Sequence, residues 1–241
     1  MTKQIPAIVE KFLNDVTRKH APDASVKFKS ESWLNRAIAF IVKPFNPTFL
    51  NNYITTIGTT IWVPDDFFDN YDDINVLEVI AHETQHIIDL KKLGAVPFVV
   101  AYGFPQILAL LSILALGAFF GGPAWLLWLL CLGFAAPIPA YGRYRFELNG
   151  YRTSYVVGRL VHHYGGSELA QVDGWVIEQL SNKWYFYTWP FPKMIKADLQ
   201  DNAFLSLPRY VELADWLKAN GFVTPADPKA ARKKITFRHQ H

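Results

Sequence analysis

Apolar positions recur at helical spacing from the start of the chain. Ile5, Ile8, Val9, Phe12, Leu13 and Val16 share one face, which predicts a surface helix over residues 5–20. The period then shortens to two in "SVKFKS" (25–30), a short strand. "NYITTIGTTIWVP" (52–64) is rich in β-branched residues and closed by Pro64, which predicts a second strand. Asp72 or Asp73 can cap the next helix, over 74–93, and Gly94 stops it.

From Leu93 to Gly142 the chain carries no Asp, Glu, Lys, Arg or His. A bilayer crossing takes about 20 apolar residues, and Gly121-Gly122-Pro123 divides this run into 96–119 and 123–140. The pattern predicts a transmembrane helical hairpin, in which Pro97, Pro105, Pro137 and Pro139 are tolerable. A hairpin buried inside a soluble protein or an assembly is the alternative. Lys91 and Lys92 precede the run, and Arg143, Arg145 and Arg152 follow it. Basic flanks favour the cytoplasmic side, so both termini and any chemistry are expected there, in a multi-pass membrane protein.

Beyond the hairpin a helix is expected over 143–164, broken at Gly165-Gly166, then another over 167–181. "WYFYTWPFPKM" (184–194) holds too many prolines for one regular helix, and its rings suit either a core or a membrane interface. A last helix covers 207–220, and no internal repeat is evident. The expected fold class is α+β: a mostly helical domain with a small sheet, plus the hydrophobic hairpin. Residues 1–94 form its first part, 95–141 the hairpin, and 142–241 the helical part that completes the site.

Composition narrows the functional classes. Of 241 residues 51% are hydrophobic and 15% aromatic, which excludes disorder. A net charge of +3 is too small to indicate nucleic acid, and the basic run Lys229 to Arg238 reads as a solvated or lipid-attracted tail. Cys131 is the single cysteine, so neither an intramolecular disulfide nor a cysteine metal site can form. The charged amphipathic start is not a secretory signal peptide.

The candidate chemistry lies in "VIAHETQHIIDL" (79–90). Residues i and i+4 of a helix project from one face, so His82 and His86 can meet one Zn2+ ion. Glu83 is placed to take a proton from water rather than to bind the ion. A catalytic zinc site wants a third protein ligand. Lys92 and Asp89 stand where an extended three-histidine motif needs a histidine and a glycine, which excludes that form. Glu147 in "RYRFELNGYRTSY" is the first carboxylate after the hairpin; Glu168, Asp173 and Glu178 are the other candidates.

The order "HETQH", apolar hairpin, "RYRFELNGY" resembles the membrane-bound gluzincin metallopeptidases of the M48 type, HtpX-like zincins, over roughly residues 54–155. The resemblance implies a zinc peptidase with His82, His86 and Glu147 as ligands and Glu83 as general base. That family usually has a small residue three positions after the glutamate and an acidic one at four. Gly150 meets the first requirement; Tyr151 stands in place of the second. Asp89, one turn past His86, is a candidate replacement partner for the histidines. Tyr151 and Tyr155 share the Glu147 face and could stabilise an oxyanion, or simply pack; His162 and His163 suit a helix C-terminus. Glu78 reads as solvated or paired with a lysine. The expected partners are a peptide or protein substrate and membrane lipid. The competing expectation is a non-catalytic structural or assembly component, such as part of a viral particle, with assembly partners of its own. A transport pore is disfavoured, because the apolar run has no ionisable residue.

Overall fold

Residues 54–63 form two strands, not one, in this computed structural model, which describes residues 4–42, 54–105, 108, 126, 139–161, 166–182 and 188–223. Gly58 adopts φ 62°, a conformation that costs glycine little, and reverses the chain between β2 (Thr55–Ile57) and β3 (Thr60–Val63). β1 (Ser25–Phe28) pairs parallel to β3, giving the order β1-β3-β2. Val26 lies opposite Ile61 and Phe28 opposite Val63, and all four are buried. The sheet therefore turns one apolar face inward. Thr56 lies opposite Ile61 on the antiparallel pair, so it shares that inward face.

Helices supply the rest. α1 (Ala7–Phe12) runs on through a π-helical turn to Thr17. α2 (Trp33–Val42) was not anticipated by the apolar pattern, although Ser32 marks its start by accepting a hydrogen bond from the Asn35 amide at 3.0 Å. The short α3 (Phe67–Asn70) leads to α4 (Asp73–Leu93), the motif helix. Of the two candidate caps Asp72 is the one used, taking the Asn75 amide at 2.8 Å. α5 (Ala95–Gly103) begins directly beyond Gly94. α6 (Tyr141–Val161) and α7 (Gly166–Ser181) match the expected helices within the described residues. α8 (Pro192–Gln200) was missed because its proline was read as a breaker, whereas Pro192 sits in the first turn, where no amide partner is lost. α9 (Pro208–Ala219) closes the described chain.

One apolar cluster joins these parts, running from Val9 on α1 through Ile80 and Leu148 to Leu217 on α9. The aromatic segment contributes to packing: Trp189 stacks on Tyr144 with ring centroids 5.1 Å apart. α4 and α6 lie against each other along much of their length.

The membrane expectation is corrected. Among the described residues no helix is long and apolar enough to cross a membrane, so a multi-pass transmembrane protein with cytoplasmic termini is not supported. α5 is the described part of the first expected span. Its nine residues cover about 14 Å, half of a hydrocarbon core. It stops because Pro105 follows Phe104, which takes extended backbone at ψ 138°. Its inner face, moreover, packs Phe98 against Phe146 of α6, at 4.6 Å between centroids. Most of the remaining hairpin lies outside the described residues.

Candidate metal centre

His82 and His86 stand one turn apart on α4, ring centroids 5.0 Å apart and planes at 78°. α6 brings Glu147 to face both. Its Oε2 lies 3.6 Å from His82 Nε2 and 3.7 Å from His86 Nε2. The three potential donor atoms all lie within 4.8 Å of one another. Zinc bonds of 2.0–2.1 Å in a tetrahedron space their donors at about 3.3 Å, so the two carboxylate–imidazole distances would need to close by only a few tenths of an ångström.

The chemistry of these atoms fits a cation. Glu147 is fully buried, yet its Oε2 has no hydrogen-bond partner; nor has the buried Nδ1 of His86. A carboxylate oxygen in that state is costly unless a positive charge meets it. Burial opposes the Glu147 anion, but His86 and His82, with the Tyr102 hydroxyl, bring its pKa down to about 2. Burial likewise opposes the His82 cation, and the Glu147, Glu83 and Glu78 carboxylates outweigh it, raising its pKa.

The close approach of α6 to α4 depends on Gly150. A Cβ there would stand 2.7 Å from His82 Nε2 and Cε1, inside contact distance. Tyr151 sets its ring at a steep angle to His82 at 4.9 Å and to Trp175 at 5.7 Å between centroids. Burial, then Glu147 and Glu83, hold its hydroxyl protonated far above the ordinary tyrosine range.

Glu83 receives a hydrogen bond on Oε2 from Thr56 Oγ1 of β2 at 2.6 Å. Lys29, after β1, is buried and sensitive to the Glu83 charge; burial depresses its pKa to about 8. Glu78 is not a freely solvated carboxylate: burial pushes its pKa up to about 7, against the pull of His82.

Other expected residues are committed elsewhere. Asp89 accepts from Gln85 Nε2 at 2.8 Å and Asn149 Nδ2 at 2.9 Å, and faces Arg209 Nη1 at 3.6 Å. It thus ties α4 to α6 and α9 rather than orienting a histidine. Tyr155 donates to Asp173 Oδ1 at 2.8 Å, an oxygen pair remote in sequence from the motif. That bond and one from Gln200 occupy Asp173, while Glu178 is exposed. His162 and His163 lie outside the described residues, as does the side chain of Glu168.

Three contributors were missed in the sequence: Thr56, Lys29 and Tyr102. Tyr102 of α5 donates its hydroxyl to Glu147 Oε1. A tyrosine inside an uncharged run is itself a signal, because a buried phenol needs a polar partner. Reading the run as membrane hid it. Comparisons with protein families, curated proteins and solved structures find no match to this chain. The likeness to gluzincins therefore rests on the quoted residues alone.

Proposed function

We propose that the chain is a zinc-dependent metallopeptidase of gluzincin type, with His82, His86 and Glu147 holding the ion. The observation that carries this reading is Glu147 Oε2, buried and unpartnered, facing two imidazole nitrogens on the helix that bears Glu83. Three donors converge among the described residues, where a closed structural zinc site takes four.

Zinc supplies a Lewis acid that polarises the scissile carbonyl and acidifies water. Glu83 would take the proton of the attacking water and pass it to the leaving amine. Thr56 fixes the orientation of the Glu83 carboxylate. β2 is the outer strand on that side of the sheet, and an extended peptide can add along its edge through backbone hydrogen bonds. Because Thr56 belongs to β2, a peptide in that position passes beside the base. Tyr151, kept protonated, is the candidate donor to the developing oxyanion.

Glu83→Gln keeps the shape of the site and removes the base. It is expected to bind zinc at wild-type stoichiometry while peptide cleavage falls by roughly 10²–10⁴. Wild-type cleavage by this variant would reject the assignment. A second reading, an ion that staples helices in a non-catalytic component, is favoured by the low exposure of the imidazole side chains, 13% and 10%. Zinc binding by wild-type protein that cleaves no peptide in a mixed library would select it.

A further inference from the structure

The two oxygens of Glu147 have different surroundings. Oε2 faces the histidines without a hydrogen-bond partner, whereas Oε1 accepts the hydroxyl of Tyr102. Tyr102 is not part of the HExxH helix or of α6. It arrives from α5, the apolar helix that follows the motif helix after Gly94.

The Tyr102 ring is held on several sides. Phe98 stacks on it at 5.7 Å with planes 22° apart, and Phe146 lies at 6.3 Å and 20°. The Arg143 guanidinium sits 5.1 Å from the ring centroid, and its Nε donates to the Tyr102 carbonyl at 3.2 Å. The edge of the ring meets His86, with centroids 6.2 Å apart. Gly142 permits this approach of α5 to the start of α6, since a Cβ there would fall 2.1 Å from the Ala101 carbonyl oxygen. Two aromatic rings, one cation and a backbone bond thus fix one phenol whose hydroxyl has one acceptor.

We propose that Tyr102 is a positioning residue of the metal centre, capping Glu147 Oε1 so that Oε2 alone is presented between His82 and His86. This rests on the reading of the three residues as a metal site. A carboxylate with both oxygens free can turn edge-on and bind a cation through both. With one oxygen held by a phenol it offers a single donor, which keeps the ligand count at three and leaves a position for water. Partners of this kind commonly govern metal affinity by 10–100-fold.

The test uses the full chain loaded with Zn2+ or Co2+. Wild type, Tyr102→Phe and Phe146→Leu are compared by chelator competition for the zinc dissociation constant and by the visible spectrum of the cobalt form. Tyr102→Phe retains the ring packing and loses only the hydroxyl, so it is expected to fold and to bind zinc 10–100-fold more weakly. Its cobalt spectrum is expected to lose intensity, as coordination number rises when Glu147 binds through both oxygens. Phe146→Leu weakens packing but keeps the hydroxyl, and is expected to retain the wild-type spectrum. Zinc affinity and cobalt spectrum unchanged in folded Tyr102→Phe would overturn the proposal while leaving the metal site standing. No stoichiometric zinc in wild type, or zinc retained by His82→Ala, would overturn both. Equal spectral changes in both variants would show packing rather than positioning, and would likewise reject it.

Discussion

Lys29 brings a charge into an apolar part of the protein, at the end of β1 beside buried Val26 and Phe28. Burial lowers its pKa from 10.5 to about 8, while Glu83 pulls the other way. Folding is disfavoured wherever the ammonium is present in both states, which holds below pH 8. As pH rises from about 8 to 10.5 the folded protein is neutral at this site first, and the penalty fades; above 10.5 it is gone. The full depression corresponds to roughly 3 kcal/mol. Lys29→Met keeps the length of the stem without the charge, so its melting temperature is expected to exceed wild type at pH 7. The gain should vanish above pH 10.5. Equal or lower stability at pH 7 would contradict this account.

At the scale of elements, the centre is made by how closely α6 approaches α4. Gly150 sits at the crossing, and an added methyl would press on the His82 ring at 2.7 Å. Alanine in a helix interior gains up to about 1 kcal/mol over glycine, whereas overpacking costs about 1–3 kcal/mol. The two effects nearly offset in stability, so metal affinity is the discriminating measurement. Gly150→Ala is expected to weaken zinc binding at least tenfold with a small change in melting temperature; unchanged affinity would mean that the ring yields freely. The same elements explain what the sequence conveyed. The helix period of α4 is a local property, so His82 and His86 on one face could be read directly, whereas Glu147 opposite them came only as the first carboxylate after the apolar run and from the gluzincin resemblance. Thr56 and Tyr102 could not be read, because their roles come from tertiary contacts across 27 and 45 positions. The hairpin turn at Gly58 was hidden inside a continuous β-branched run. The apolar stretch misled because charge depletion, segment length and basic flanks together read as a membrane hairpin, when its first described helix is short and turns its inner face to α6.

Across the whole molecule, the ends of the described chain meet behind the centre. Phe12 of α1 packs on Trp216 of α9 at 5.2 Å, and Trp216 Nε1 donates to Asp15 at 3.0 Å. Lys19 and His20 both reach Glu212 of α9, at 2.6 and 2.9 Å. From this closed rear, Arg209 extends to Asp89 on the motif helix and donates to Asn149 Oδ1 at 3.1 Å, two positions from Glu147. α9 thereby clamps the two helices that carry His82, His86 and Glu147, and Asp89 is the shared acceptor of the clamp. Asp89→Asn keeps the shape but leaves the Arg209 cation without its counter-charge, at a cost of about 1–3 kcal/mol. For a chain of this size each kcal/mol corresponds to about 2–4 °C, so a fall of several degrees in melting temperature is expected. Zinc affinity of the folded variant should stay within about threefold of wild type, because Asp89 contacts neither imidazole. A partner that orients a metal-bound histidine behaves oppositely, losing 10–100-fold in affinity with little change in melting. Measuring both quantities on one variant therefore separates a clamp acting through helix placement from a direct partner of the ligands. Affinity loss without destabilisation would move Asp89 back to the histidines.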